Sequence, residues 1–146
     1  GVDGLIIVDL QPEEDSELLT KTNEKGIDLI RLITPTTDQK RLITILSNAS
    51  GFLYYVTVTG ITGQNSANIE DLKKSINTIK SSTKLPIVAG FGIKNKNDVE
   101  QISTFTDGVV VGSSIVNIIK DNLNDKNKMI NDIKVFTKDL KEGIKE

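Results

Sequence analysis

Residues 86–93 read PIVAGFGI, and residues 109–119 read VVVGSSIVNII. Each stretch opens with an apolar run rich in Ile and Val, passes into glycine, and is followed by a helical pattern. Continuous apolar runs, rather than alternating ones, are typical of strands that are covered on both faces, as in parallel sheets. The two stretches therefore predict two neighbouring β/α units of a parallel sheet.

Three similar apolar runs lie earlier in the chain. The five predicted strands are Leu5–Val8, Leu29–Ile33, Phe52–Val58, Pro86–Ala89 and Val109–Val111. A segment with apolar residues at helical spacing follows each of them, and two such segments follow the last. The succession predicts an α/β fold in which crossover helices connect parallel strands.

Several residues mark the expected helix ends. Pro12 suits the first position of the first helix, and Gly26 suits its C-terminal cap. The residues expected to cap the next four helices are Thr36 or Thr37, Asn68, Asn95 or Asn97, and Ser113.

Composition excludes several classes of function. The 146 residues carry 18 basic and 20 acidic side chains, a net charge of −2, so nothing favours a nucleic-acid partner. Cysteine and histidine are both absent, which excludes disulfides, Cys/His zinc sites and Ser-His-Asp triads within this chain. No apolar run reaches the ~18 residues of a membrane span, so we expect no membrane partner.

The pattern leaves two closures of the sheet open. Five units would complete a doubly wound open sheet, or they would form five-eighths of a (β/α)8 TIM barrel, which usually needs ~250 residues. The chain begins Gly1-Val2-Asp3-Gly4 without Met and enters a strand at once. We therefore expect it to be a piece of something longer.

The candidate chemistry lies where the last three strands end. The connection after the third strand contains the small and polar residues 60–68, which predict an active-site lid; a plain surface loop is the alternative. Gly63 from this loop, Gly92, Gly112 and Ser113 would bring backbone N–H groups and a helix N-terminus to one phosphate, without any Lys or Arg. Turn glycines with a structural cap are the alternative.

Two further positions attract attention. Tyr54 and Tyr55 are consecutive in a strand, so one would point into a barrel and the other toward the helices. The inward tyrosine would bond a substrate or a catalytic carboxylate, and a core tyrosine is the alternative. Asp9, at the end of the first strand, would be a general base, a helix cap or a partner contact, and the sequence does not separate these roles.

Several motifs, in their order, resemble those of the tryptophan synthase alpha chain family. They are residues 1–10 (GVDGLIIVDL), 34–37 (TPTT), 51–63 (GFLYYVTVTGITG), 90–93 (GFGI) and 107–116 (DGVVVGSSIV). The third is the most specific to that family, whereas other phosphate-binding barrels share the last two. The resemblance implies a (β/α)8 TIM barrel, with residues 1–146 as the C-terminal part of that single domain, strands four to eight, and the N-terminal units missing.

The resemblance implies a lyase of tryptophan biosynthesis that cleaves indole-3-glycerol phosphate to indole and glyceraldehyde 3-phosphate. It also implies a tryptophan synthase beta chain as partner in an alpha2-beta2 assembly. Pyridoxal phosphate would belong to that partner, and this chain would need neither a cofactor nor a metal. No stretch here matches the family's two catalytic carboxylates, so we expect no catalytic residue in this chain, beyond assistance from Tyr54, and no activity of the chain alone.

The resemblance also assigns site residues. Those expected to hold the glycerol phosphate are Gly63, Gly92, Gly112 and Ser113, with Phe91 beside them. Those expected to line the indole pocket are Ile6, Tyr54 and Val110. Thr62 would belong to the closing lid, and Asp9 would face the beta chain.

Two alternative functions remain at this point. One is another phosphate-binding TIM-barrel enzyme of amino-acid biosynthesis, such as phosphoribosylanthranilate isomerase. The other is a non-catalytic half-barrel that serves as an assembly module. A composition rich in Ile, Lys and Asn indicates an AT-rich genome, and we expect a cytoplasmic location, with the plastid stroma of an alga as the alternative.

Overall fold

The computed structural model describes residues 1–57, 66–90 and 92–144 of the chain. Its strands are β1 (Gly4–Ile6), β2 (Asp28–Ile33), β3 (Leu53–Val56), β4 (Ile87–Gly90) and β5 (Gly108–Val110). Its helices are α1 (Ser16–Lys25), α2 (Gln39–Ser47), α3 (Ser66–Lys80), α4 (Lys96–Ser103), α5 (Ser113–Asp121) and α6 (Lys126–Glu142). Every predicted strand and helix is present, although most strands are shifted or shortened by one or two residues.

The strands form one parallel sheet in the order β1-β2-β3-β4-β5. A doubly wound sheet needs a point at which the strand order reverses, and the described strands contain no such point. Because each connection moves to the next strand in the same direction, right-handed crossovers place the helices on one side. The sheet is thus a segment of a barrel, as predicted, and the doubly wound alternative is wrong.

The two faces of the sheet differ in burial. Leu53, Tyr55 and Ile87 are at most 1% exposed and pack with the helices into the main core. Tyr54 points to the opposite, concave face, where it is only partly buried. The prediction that the two neighbouring tyrosines face opposite sides is therefore confirmed.

Three strand glycines lie on the concave face, and a neighbouring strand covers each of them. A Cβ atom built on the glycine would meet Ile30 Cδ1 at 2.5 Å from Gly4, Tyr54 Cζ at 2.7 Å from Gly90, and Val88 Cγ1 at 3.1 Å from Gly108. Small residues beside large ones allow side chains to fill the narrow interior of a barrel. The glycines thus fix where the large concave side chains lie.

Two predicted helix starts are wrong. Helix α1 begins at Ser16, after Asp15 in the N-cap position, so Pro12 lies in the preceding turn. Helix α2 is capped by the Asp38 carboxylate, which accepts the Arg41 N–H at 2.7 Å. Thr37 does not cap α2 because its hydroxyl accepts the Thr34 N–H and closes the turn before the helix.

Of four other predicted helix-end residues, two are wrong and two are confirmed. Asn68 lies inside α3, and Ser113 is the first residue of α5 rather than its cap. Asn95 does cap α4, accepting the Asp98 N–H at 3.0 Å, and Gly26 ends α1 in the left-handed conformation at φ 64°. In the described part of the chain, no helix is long and apolar enough to cross a membrane.

A buried ion pair ties α1 to the sheet. Asp15, in the N-cap position of α1, pairs with Arg31 on β2, and both side chains are at most 6% exposed. Burial lowers the pKa of Arg31, because desolvation disfavours the charged guanidinium. The pair fixes the helix against the helix-covered face of β2.

Candidate functional site

A cleft of about 480 Å³ opens at the carboxyl ends of β4 and β5. Its lining residues are Tyr54, Gly92, Ile93, Lys94, Val110, Gly112 and Ser113. Five of these seven were predicted from the sequence as substrate-binding residues. The connections after β4 and after β5, together with the strand residues Tyr54 and Val110, therefore line one cleft at the end of a barrel where ligands bind.

Gly92 forms one wall of the cleft in a conformation that favours glycine. Its φ angle is +79°, in the left-handed region that a side chain disfavours. The next residue, Ile93, is 2% exposed and anchors the loop in the core. The Lys94 N–H then donates to Asp98 Oδ2 at 2.8 Å, which holds the loop to the start of α4.

Gly112 and Ser113 form the opposite wall at the start of α5. Gly112 occupies the N-cap position and no side chain caps the helix. The Ile115 N–H donates to Gly112 O at 3.0 Å, whereas the N–H groups of Ser113 and Ser114 precede any acceptor within the helix. The N-terminus of a helix carries a partial positive charge. A Cβ built on Gly112 would have no neighbour within 4 Å, so the space before these donors is open. This arrangement can accept an anion.

Tyr54 forms the floor of the cleft together with Val110. The Tyr54 ring lies against Gly90, on the concave face. Burial raises the pKa of Tyr54 because the phenolate would be poorly solvated. The hydroxyl therefore stays protonated near neutral pH and can donate a hydrogen bond toward the cleft.

Ile6, a predicted pocket residue that the structure does describe, is not among the residues that line this cleft. Ile6, on β1, is 47% exposed and lies two strands from Tyr54. Thr62, Gly63 and Phe91 lie outside the described residues, as do residues 60–65 of the predicted lid. Residues 66–68, the rest of that predicted loop, instead form the first turn of α3. Ile6, Tyr54 and Val110 lie on the same face of one sheet. Their shared role in an indole pocket stays a prediction.

Sequence reasoning missed three residues of the concave site. Leu32 pairs in register with Tyr54 and so shares its face. Ile93 and Lys94 line the cleft, although attention to glycines had stopped at Gly92. Lys94 lies two residues after Gly92, and that proximity to a predicted site glycine was the available signal.

A second cleft, of about 490 Å³, lies between the loops that follow β1 and β2. Exposed Asp9 lines it, and Arg41 from α2 reaches across to the side chains of Gln11 and Glu13. The hydrogen bond from Arg41 lowers the pKa of Glu13 below its ordinary value. The two loops are thus tied together beside Asp9. The described residues contain no group of three acidic side chains that could hold a metal ion.

The family model of the tryptophan synthase alpha chain matches residues 1–145. The chain belongs to this family. The motifs quoted above had predicted it, and the match rules against a different phosphate-binding barrel family.

Solved structures agree with this membership. The chain is similar to tryptophan synthase subunit alpha from Legionella pneumophila, at 32% identity and a TM-score of 0.84, over 99% of this chain and 52% of that one. It is also similar to subunit alpha from Campylobacter jejuni, at 35% identity and a TM-score of 0.83, over 93% of this chain and 54% of that one. A third similar structure is tryptophan synthase from M. tuberculosis, at 26% identity and a TM-score of 0.80, over 99% of this chain and 51% of that one. The chain thus spans about half the length of these solved relatives.

Proposed function

We propose that this chain is the substrate-holding portion of a tryptophan synthase alpha subunit, a lyase that cleaves indole-3-glycerol phosphate to indole and glyceraldehyde 3-phosphate. The observation that carries the proposal is the cleft lined by Gly92, Gly112 and Ser113, in a chain that belongs to this family. The corresponding domain organisation is a single TIM-barrel domain, of which residues 1–146 are the C-terminal part.

The phosphate end of the substrate would occupy the space between Gly92 and the start of α5. Two walls of the cleft lack a Cβ atom, so a phosphate oxygen can reach the backbone. The helix N-terminus offers unpaired N–H donors and favours negative charge. Ser113 adds a hydroxyl, and Gly63 and Phe91 complete the set assigned by family resemblance.

The indole end would lie on the concave face beyond the phosphate. Val110 and the Tyr54 ring offer apolar area near the cleft, and Ile6 and Leu32 extend the same face toward β1. The protonated Tyr54 hydroxyl would assist by donating to a catalytic carboxylate or to the substrate. Thr62 would contribute when the lid closes.

The cleavage itself needs groups that this cleft lacks. Breaking the bond between indole and the glycerol chain requires a proton for the indole carbon and removal of the proton from the C3′ hydroxyl. No carboxylate is among the described residues that line the cleft. We therefore propose that both catalytic carboxylates lie outside this chain's 146 residues and that binding alone gives no acceleration.

Complementation tests this division of labour. The chain is assayed for indole release from indole-3-glycerol phosphate, alone and mixed with the N-terminal half of a family member. We expect no turnover alone and restored turnover in the mixture. Turnover by the chain alone would contradict the placement of the carboxylates, and an inactive but physically complete mixture would favour the non-catalytic assembly module.

A variant pair makes the test specific to the cleft. Gly112→Asp places negative charge before the α5 donors and should abolish the restored activity. Its added Cβ has no neighbour within 4 Å, so the fold should tolerate it. Lys84→Gln changes the charge by the same amount on an exposed residue before the amino end of β4, and it should leave the activity unchanged.

The proposed partner is a tryptophan synthase beta chain, which would carry the pyridoxal phosphate, while this chain would use no cofactor. Exposed Asp9, in the loop beside the second cleft, would contact it. Asp9→Lys should weaken association with a beta chain in analytical ultracentrifugation, whereas Asp3→Lys, an exposed change at the amino end of β1, should not. Equal effects of the two variants would remove Asp9 from the interface.

A further inference from the structure

Lys94 is the one fully charged side chain among the described residues that line the cleft between β4 and β5. The other lining residues are glycines, a serine, a tyrosine and apolar side chains, and none is a carboxylate. A cation among lining residues that include no carboxylate creates a local field that favours anions. The nearest described carboxylate, that of Asp98, is 7% exposed and accepts the Lys94 N–H. The position of Lys94 therefore adds to the anion preference that α5 already gives to the opposite wall.

The backbone of Lys94 is held in place while its side chain is exposed. Its N–H donates to Asp98 Oδ2 at 2.8 Å, and Asp98 is itself 7% exposed and bonded to Asn95. The preceding Ile93 is anchored in the core at 2% exposure. The root of the side chain is thus rigid, and only the flexible stem and the ammonium group move.

Lys94 also differs from the lysines around it in its partners. Lys96 pairs with Glu142 at 3.2 Å, and Lys80 pairs with Asp107 at 3.0 Å. Within the described part of the chain, Lys94 has no ion pair. Its ammonium group can approach a ligand in the cleft without first breaking a salt bridge.

We propose that Lys94 is a specificity-determining residue that makes the cleft prefer the dianionic form of a phosphate monoester. The inference rests on the proposed function, since it concerns the same phosphate site. The backbone donors and the partial positive charge at the start of α5 bind both charge states and give a modest preference for the dianion. The ammonium group discriminates because its attraction to the ligand doubles with the ligand's charge.

The experiment measures binding of glycerol 3-phosphate to the chain by isothermal titration calorimetry or NMR at pH 5 and pH 8. A phosphate monoester loses its second proton with a pKa of about 6, so the two conditions compare the monoanion with the dianion. For Lys94→Gln we expect about three- to fivefold weaker binding at pH 8 and a smaller change at pH 5, as for an exposed charge pair. At about 1 M salt the variant and the wild type should converge, because screening shortens the Debye length to ~3 Å.

Two control variants separate charge from structure. Lys94→Arg keeps the charge and should keep the preference for the dianion. Lys84→Gln removes a charge before the amino end of β4, away from the cleft, and should bind as the wild type does.

The outcomes distinguish the two proposals. If the wild type binds and Lys94→Gln binds with the same affinity and pH dependence, the role of Lys94 is overturned and the phosphate site is left intact. Absence of wild-type binding, or wild-type binding that Gly112→Asp does not abolish, would overturn the phosphate site itself and the Lys94 inference with it.

Discussion

Replacing Gly90 by Ala should disturb both the concave face and the ligand cleft. The added Cβ would lie 2.7 Å from Tyr54 Cζ, closer still to its hydroxyl, and 3.0 Å from Val110 Cβ. Carbon atoms pack best at about 3.5–4.0 Å, so the ring must move by roughly 1 Å. Extra volume in a packed site costs about 1–3 kcal/mol, and we expect the lower half of that range because Tyr54 is only partly buried.

A double-mutant cycle tests this reasoning directly. Gly90→Ala, Tyr54→Leu and the double variant are unfolded in urea, and the free energies of unfolding are compared. If the ring causes the clash, the double variant should be more stable than the sum of the single effects predicts, by about 1 kcal/mol. Additive effects within about 0.3 kcal/mol would refute the explanation.

The same displacement has a second consequence for the cleft. Because Tyr54 forms its floor, a ring pushed away from Gly90 would move into the ligand space. Gly90→Ala should therefore weaken glycerol 3-phosphate binding as well as stability. Gly4→Ala is the matched control, since its added Cβ meets the flexible end of Ile30, far from this cleft.

Three further predictions concern single contacts. Removing one partner of the buried Asp15–Arg31 pair, as in Asp15→Asn, should cost about 3–5 kcal/mol in urea unfolding, whereas Asp15→Leu combined with Arg31→Met should be nearer to the wild type; equal losses would contradict a penalty for the unpaired charge. In NMR, the Glu13 carboxyl should titrate below its ordinary pKa, and Arg41→Gln should return its pKa toward the ordinary value. The contribution of Glu13 to stability is therefore present above the ordinary pKa and is lost as the pH falls through the lowered pKa. An unchanged Glu13 titration in the variant would remove Arg41 as the cause. Gly92→Ala, at φ +79°, should cost about 1–2 kcal/mol in thermal unfolding, whereas Gly112→Ala, at φ −112° and facing open space, should be nearly neutral; similar losses would show that backbone strain at Gly92 is small.

Much of the fold could be predicted because each strand is a continuous apolar run. Such runs report burial on both faces, which barrel strands share regardless of their neighbours. The runs Leu29–Ile33 and Val109–Val111 gave strands displaced by at most one residue. Their boundaries shifted because hydrogen bonding to the neighbouring strand, and not hydrophobicity, decides where a strand ends.

Helix starts were harder to predict because several residues near each start are chemically able to cap. Thr36, Thr37 and Asp38 all carry suitable oxygens, and the chain uses Asp38 because the Thr37 hydroxyl closes the turn before the helix. Asp15 occupies the N-cap position of α1, and its charge is directed to Arg31, a contact between residues 16 positions apart. Local sequence contains no information on such competition.

The lining of the cleft could be predicted where glycines form it. Glycine at positions 92 and 112 is visible in the sequence, and the parallel strands necessarily bring those positions to one edge. Lys94 and Leu32 were missed because their relevance depends on register and on which way a loop leaves the strand. A side chain joins a site through its neighbours in space, and those follow only after the sheet is assembled.

The order of the strands explains why the concave face of the sheet is open. Helices of this chain bury one face of β3 and β4. The concave face of β3, β4 and β5 still exposes part of Tyr54, Val88 and Val110. Edges β1 and β5 each have one neighbour in the described sheet, and in a closed barrel each strand has two. The core can therefore hold the α5 start and the Gly92 loop in position before the concave face is covered. Under the proposed function, this chain should bind a phosphate monoester without cleaving indole-3-glycerol phosphate, because the cleft depends on the helix-covered face and the proposed cleavage depends on groups that would cover the concave face.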